Sequence, residues 1–162
     1  MNDEQSRDVK TLCARHLLFA WWSLLGWVIL GITLEALHAF KVGWYLGETS
    51  ETRRLLWTLA HAHGTLLSLV HAAFAFTYFA LPTPVTRRRR LASALLMAAS
   101  VLLPGGFFLG GIFIFEGDPG LGVWLVPFGA ICLFLAVFLT ATDVARGNRS
   151  LTANSGRRPR RT

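Results

Sequence analysis

Charged residues are scarce in this chain and are missing altogether from four long stretches. They make up 15% of the 162 residues, whereas hydrophobic residues make up 53%. No Asp, Glu, Lys or Arg occurs in residues 16–34, 55–81, 91–115 or 121–142. Because the surface helices of a soluble globular protein carry charges along one face, this pattern excludes that class.

Cysteine is also rare, and several familiar metal and enzyme motifs are missing. The two cysteines, Cys13 and Cys132, form neither C-x-x-C nor C-x-x-C-H, which disfavours a zinc knuckle and covalently attached c-type haem. The chain has no Gly-rich phosphate loop, no G-x-S-x-G and no H-E-x-x-H. These enzyme classes are set aside, and whether the protein is an enzyme stays open.

Each of the four uncharged stretches is long enough to cross a bilayer. Even the shortest, residues 16–34, spans roughly 30 Å as a helix. Because lipid-exposed chains must satisfy every backbone group internally, we predict an all-α integral membrane protein with an antiparallel four-transmembrane-helix bundle. The predicted domains are a cytoplasmic segment at residues 1–15, a transmembrane domain at residues 16–142 and a basic, disordered cytoplasmic tail at residues 143–162.

Basic residues outnumber acidic ones by 16 to 9, and their positions predict the orientation in the membrane. With both termini cytoplasmic, 13 of the 16 Lys and Arg lie on the inner side and three on the outer side. The positive-inside rule therefore predicts an N-in, C-in multi-pass protein of a bacterial-type inner (plasma) membrane. The run Arg87–Arg90 is expected to meet anionic lipid headgroups, and no nucleic-acid partner is expected.

Histidine is concentrated where the chain is most apolar. His61, His63 and His71 fall within eleven residues of the second uncharged stretch. Ionisable groups inside a membrane are costly to desolvate, so they indicate a functional site. Counting residues from the ends of the spans places His71 near the midplane and His16 at the inner boundary, as a hydrogen-bonded interfacial ring.

The same counting predicts a cluster of imidazoles and carboxylates near the outer face. The residues expected at this level, on three different helices, are Glu35, His38, His61, His63 and Glu116. Imidazole and carboxylate are ligands of copper, iron and zinc, so these five residues are the candidate metal ligands. On a regular helix His61 and His63 point about 200° apart, so they are not expected to face one site together.

A b-type haem is the alternative cofactor, because two histidines from different helices can hold haem in a four-helix bundle. The candidate cofactor ligands are His38, His61, His63 and His71. Residues 63–67, His-Gly-Thr-Leu-Leu, resemble the haem-ligand helix of haem–copper oxidase subunit one, which implies haem chemistry at His63. The sequence therefore predicts a redox or metal-related membrane protein.

Two other functions fit the same residues. The protein could be a small accessory subunit that packs against partner membrane subunits or against its own copies, with His and Glu making interhelical hydrogen bonds. It could instead be a small transporter or proton path, in which His71 relays protons. The sequence leaves the substrate, the electron partner and the oligomeric state open.

Overall fold

The computed structural model describes residues 3–47, 50–81 and 84–155, and this part of the chain is helical with no β-strand. Its elements are α1 (Asp3–Ala39), α2 (Gly43–Leu46), α3 (Glu51–Ala80), α4 (Arg87–Gly110), a 3-10 turn (Leu121–Trp124) and α5 (Leu125–Ser155). Four of these helical segments are long and apolar enough to span a membrane, as predicted. The protein is therefore all-helical, with four candidate membrane-crossing helices.

Helices α1 and α5 extend farthest beyond their uncharged stretches, and α4 ends five residues before its stretch does. Helix α1 begins at Asp3, thirteen residues before the first uncharged stretch, because residues 3–15 contain no Gly or Pro and begin with two acidic residues that favour a helix N-terminus. Helix α4 ends at Gly110, because the Gly110 carbonyl accepts the N–H of Gly120 at 2.8 Å and the chain folds back. Helix α5 runs through Ser155 into the predicted tail, of which residues 156–162 lie outside the described residues, as do residues 1–2.

Helices α3 and α4 form the centre of the molecule, and α1 and α5 flank them. In the most apolar part of each helix, 39% of α3 and 44% of α4 residues are buried, against 11% for both α1 and α5. Helix α1 packs on α3, α3 on α4 and α4 on α5. In each pair, residue numbers rise along one helix as they fall along the other, as the contacts of Gly31 with His61 and of Cys13 with Ala75 illustrate.

Helices α1 and α3 approach closely because each places a glycine opposite a ring of the other. The imidazole of His61 lies over Gly31, and the indole of Trp27 lies over Gly64. A Cβ added to Gly64 would lie 2.2 Å from the Trp27 indole, and one added to Gly31 would lie 2.4 Å from the His61 ring. The two glycines are therefore required by the close approach of the helices.

The arginine run at the start of α4 is divided between its two neighbours. Arg88 donates to the Thr142 hydroxyl of α5 at 2.8 Å, whereas Arg90 pairs with Asp8 of α1 at 3.3 Å. Successive residues on a helix point about 100° apart, so a run of arginines reaches several surfaces. We call this end of the molecule, where residues 8–15, 87–90 and 140–146 lie, the basic end.

Arg89 forms the most buried ionic contact. Its side chain is 3% exposed, pairs with the Asp143 carboxylate at 3.3 Å, and has its guanidinium carbon 3.9 Å from the centre of the Tyr78 ring. These contacts join α3, α4 and α5 at the basic end. At least part of the predicted lipid-facing run thus holds the helices together.

We expect Gly64→Ala to lower the free energy of unfolding by about 1–3 kcal/mol, since the new methyl group forces the stiff Trp27 ring to move. Gly26→Ala is the matched control on α1, because no atom lies within 4 Å of a Cβ at that position. Unfolding in detergent measures both variants. Equal stability of Gly64→Ala and the wild type would contradict the close packing.

We expect Asp143→Asn to lower the free energy of unfolding by about 3 kcal/mol, because it removes the negative charge beside a buried guanidinium. The control is Glu51→Gln, which removes an exposed partner of Arg54 and should change stability by less than about 1 kcal/mol. If Asp143→Asn lowers the free energy of unfolding no more than Glu51→Gln does, the buried pair contributes no more to stability than an exposed one.

Candidate functional site

Three of the five predicted metal ligands line one pocket between α1 and α3. Glu35 and His38 lie one turn apart on α1, and His61 faces them from α3. The pocket has a volume of about 260 Å³ and lies at the end of the molecule opposite the basic end. We call it the outer pocket. Tyr45 also lines it, and burial raises the pKa of the Tyr45 phenol despite the opposing charge of Arg54.

The tautomer of His61 follows from its hydrogen bond. Its Nδ1 lies 2.7 Å from the backbone carbonyl oxygen of Trp27, which can only accept. Nδ1 therefore carries the proton, and in the neutral ring Nε2 keeps its lone pair. A carbonyl partner on one ring nitrogen is how metal-binding histidines are usually held, with the other nitrogen free for a ligand.

His63 and Glu116 lie away from this pocket. The Nδ1 of His63 donates to the Leu59 carbonyl at 2.8 Å, and its ring packs against Phe107 of α4 with centroids 5.0 Å apart. His61 and His63 thus face different helices, in agreement with their expected 200° separation. Glu116 is exposed in the turn after α4, with φ of 51°.

The described residues contain no group of three or more His, Cys, Asp or Glu side chains arranged to hold a metal ion. Glu35 and His38 share the outer pocket with His61 but are exposed, so their side chains would have to turn inward to meet at one ion.

The most buried polar site among the described residues joins two other histidines, whose pairing was not predicted from the sequence. His16 of α1 and His71 of α3 both have 0% exposure, and their Nδ1 atoms lie 2.7 Å apart. The rings stack with centroids 4.8 Å apart. Phe74 packs against His16 and Phe19 against His71, so the pair is surrounded by aromatic rings.

At one end of this pair lies Arg15, whose side chain can only donate hydrogen bonds. Arg15 donates from its guanidinium to the Ser93 hydroxyl oxygen of α4. The same hydroxyl lies 2.8 Å from Nε2 of His16. A hydroxyl has two lone pairs and one proton, so Ser93 accepts from Arg15 and still has its proton to give. We assign that proton to Nε2 of His16, because no other acceptor for it is found among the described residues.

This assignment determines the donor of each of the following hydrogen bonds through both rings. With Nε2 accepting, neutral His16 carries its proton on Nδ1 and donates it to Nδ1 of His71. His71 therefore carries its own proton on Nε2 and donates to the Ser100 hydroxyl at 2.9 Å. Ser100 donates in turn to the Leu96 carbonyl at 2.9 Å. We call this series of five bonds, from Arg15 to Leu96, the histidine chain.

The histidine chain could carry protons. Imidazole accepts a proton on one nitrogen and releases one from the other, so two imidazoles in contact can pass a proton between helices. Reversing the direction would leave Ser93 without its acceptor and would take the proton of Ser100 away from Leu96. The direction in the structure is thus the one that satisfies every donor in the chain.

The pairing was missed because the sequence analysis began the first helix at His16. Since α1 begins at Asp3, His16 lies almost four turns inside it, at the level of His71. One signal was present in the sequence. Ser93 and Ser100 are seven residues apart, which places two hydroxyls on one face of an otherwise apolar helix.

We expect nitrogen-15 NMR spectra at neutral pH to show His16 protonated on Nδ1 only and His71 on Nε2 only. Ser93→Ala should remove the donor to His16 and allow the tautomers to mix. Ser50→Ala is the control, because the Ser50 hydroxyl donates to the Trp44 carbonyl outside the histidine chain, and it should leave the tautomers unchanged. Finding His16 protonated on Nε2 in the wild type would show that the assigned direction is wrong.

Comparison with known proteins places the chain in no family. No protein-family model, no curated protein and no solved structure matches it. The function is therefore inferred from the residues of the chain itself.

Proposed function

We propose that this chain is an N-in, C-in bundle of four antiparallel transmembrane helices that transfers protons through His16 and His71. The observation that carries the proposal is the histidine chain, in which two fully buried imidazoles share a hydrogen bond between α1 and α3. Buried ionisable groups in a membrane-crossing segment favour a functional role over a purely structural one.

The proposed transfer uses both nitrogens of each ring. A proton from water reaches the lone pair on Nε2 of His16 by way of Ser93, and His16 becomes an imidazolium. The Nδ1 proton of His16 then passes to Nδ1 of His71, and His71 releases its Nε2 proton to a lone pair of Ser100. Ser100 turns from the Leu96 carbonyl and gives its own hydroxyl proton to water, which completes the transfer. Each ring ends in its other tautomer. Both imidazoles must therefore return to their first tautomers before the next transfer.

Arg15 favours passage over storage of the proton. Its guanidinium is always charged and cannot supply a proton. It lies one hydroxyl away from His16, so it repels an imidazolium at that position. Arg15 also lines a pocket of about 320 Å³ at the basic end, so water in that pocket would be separated from Ser93 by the Arg15 side chain.

Polar groups continue from the histidine pair towards the outer pocket along the interface of α1 and α3. Ser68 lies one turn from His71, and its hydroxyl is 2.9 Å from that of Ser23 of α1. Because the Gly64 carbonyl at 2.8 Å can only accept, Ser68 donates to Gly64 and accepts from Ser23. Beyond them the Trp27 indole is packed against Gly64, and the outer pocket follows. In this conformation the Trp27 ring blocks the path between the histidine pair and the outer pocket, so proton conduction requires this ring to move.

The proposed orientation puts the basic end in the cytoplasm of a bacterial-type cell. The count of 13 Lys and Arg against three supports it. The exposed members of the arginine run, Arg87 and Arg90, are then positioned to meet anionic headgroups. The exposed apolar faces of α1 and α5 are suited to lipid, to partner subunits or to a second copy of the chain.

A metal ion in the outer pocket is the second candidate. Glu35, His38 and His61 line that pocket, and the free Nε2 of His61 favours it. Copper, iron and zinc all accept these ligands. At about 260 Å³ the pocket is below the range of roughly 300–1,000 Å³ typical of cofactor sites, so an ion fits better than a haem.

Metal analysis and an absorption spectrum of the purified protein test the second candidate, with His61→Ala as the variant. A stoichiometric metal lost in His61→Ala supports it. The absence of both a stoichiometric metal and a Soret band in the wild type would remove metal and haem together.

Proton flux into liposomes tests the main proposal. We expect a membrane potential to drive protons through the reconstituted wild type, reported by an enclosed pH dye. Because glutamine cannot exchange a proton between two nitrogens, His16→Gln and His71→Gln should each reduce the flux by about a hundredfold. His63→Gln is the matched control on α3, outside the histidine chain, and should keep the wild-type flux.

Two results would contradict the proton-transfer function. One is a folded wild type that passes no protons above the level of empty liposomes. The other is undiminished flux in His71→Gln. In the first case the buried histidines act as interhelical hydrogen bonds, and fixed partners that co-purify would then favour an accessory subunit.

A further inference from the structure

The pocket at the basic end contains two arginines that belong to different helices. Arg15 reaches it from α1 and Arg90 from α4, and the Thr11 hydroxyl lies on the same lining. Asp8 also lines it and pairs with Arg90 at 3.3 Å. With two positive charges and one negative, the pocket carries a net charge of +1.

Arg15 has donors to spare for a ligand. Within the described residues its side chain makes one hydrogen bond, to Ser93, although a guanidinium has five N–H groups. Arg90 and Asp8 are both more than half exposed, so their pair is well solvated and can rearrange. The pocket thus presents two adaptable guanidiniums and a hydroxyl, a donor set suited to phosphate oxygens.

The remaining lining is apolar. Leu12 of α1, together with Val85 and Ala94 on the α4 side, completes the pocket, which lies where the first and third uncharged stretches begin. A ligand with a phosphate at one end and hydrocarbon at the other would use both parts of this lining. A soluble phosphate would use only the arginines and Thr11.

We propose that this pocket binds a phosphate group, and that the phosphate belongs to an anionic phospholipid of the leaflet at the basic end. Arg15 and Arg90 contact the phosphate oxygens, Thr11 donates to one of them, and the acyl chains leave along Leu12 and Ala94. The assignment differs from a general attraction of the arginine run to headgroups, because it depends on Arg15 of α1.

Binding at Arg15 also reaches the histidine chain. A phosphate that draws the Arg15 guanidinium towards the pocket lengthens or breaks the hydrogen bond from Arg15 to Ser93. The Ser93 hydroxyl, which contacts His16, then loses this donor and is free to turn. Lipid occupancy would thereby alter proton transfer, a consequence that rests on the proposed function. The phosphate site itself does not.

Native mass spectrometry of the detergent-purified full chain tests the site directly. We expect bound phosphatidylglycerol to survive at a higher fraction than phosphatidylcholine. Arg15→Gln and Arg90→Gln should each weaken phosphatidylglycerol binding by about fivefold. Lys10→Gln is the matched control, since Lys10 is an exposed basic residue of α1 at the same end that does not line the pocket.

A titration with inorganic phosphate distinguishes the two sources of the ligand. Displacement of the lipid only at great excess supports a lipid site. Tight binding of inorganic phosphate with no preference for phosphatidylglycerol would overturn the lipid assignment. An equal loss of lipid in Lys10→Gln and Arg15→Gln would overturn the site, because it would show unspecific attraction to positive charge.

Two further measurements keep the outcome clear. Arg15→Lys keeps the charge but not the forked donors, and it should fold and bind phosphatidylglycerol less well than the wild type. If Arg15→Gln fails to fold, Arg90→Gln and Thr11→Val decide, and wild-type lipid binding in both would overturn the proposal. Lipid binding that is intact in His71→Gln, alongside absent proton flux in the wild type, would count against the proposed function alone.

Discussion

The structure depends on one hydrogen bond, between Nδ1 of His16 and Nδ1 of His71, made where both rings are fully buried. In a low-dielectric interior an unpaired polar group is expensive, so each ring nitrogen there needs a partner. The tautomers then follow from the hydroxyl protons of Ser93 and Ser100, which both have acceptors in only one direction of donation. The need for partners also fixes the register of three helices, since moving α1 along α3 by one residue would shift His16 by about 1.5 Å and turn it by about 100°.

The rest of the packing keeps this contact in place. On one side of the pair, the rings of Trp27 and His61 are seated on glycines of the opposite helix, which sets the distance between α1 and α3. At the basic end, the Arg89–Asp143 pair attaches α5 to α4. Between these two regions α1 and α5 expose most of their apolar side chains, as helices that face lipid do. Close helix packing therefore surrounds the polar interior on both sides, while the surface is suited to a bilayer or to neighbouring membrane proteins.

Much of the fold was readable from the sequence, because missing charge identifies membrane-crossing helices without any tertiary information. The opposite directions of His61 and His63 were readable too, since helical periodicity is local. The partner of His16 was not. It depends on where α1 begins, which Asp3 and the helix-compatible residues after it decide, and on how α1 is aligned with α3. Glu116 does not line the outer pocket, because α4 ends at Gly110 and leaves that carboxylate on an exposed turn.

The most direct test of the account is the scalar coupling between the two Nδ1 nuclei of His16 and His71, transmitted through the hydrogen bond and measured by NMR on nitrogen-15-labelled protein in nanodiscs. We expect a resolved coupling between these two nitrogens, together with slow exchange of the shared proton with water. No coupling between them, with ring protons that exchange freely with solvent, would show that the histidines do not form a buried pair, and both the histidine chain and the proton path would fall.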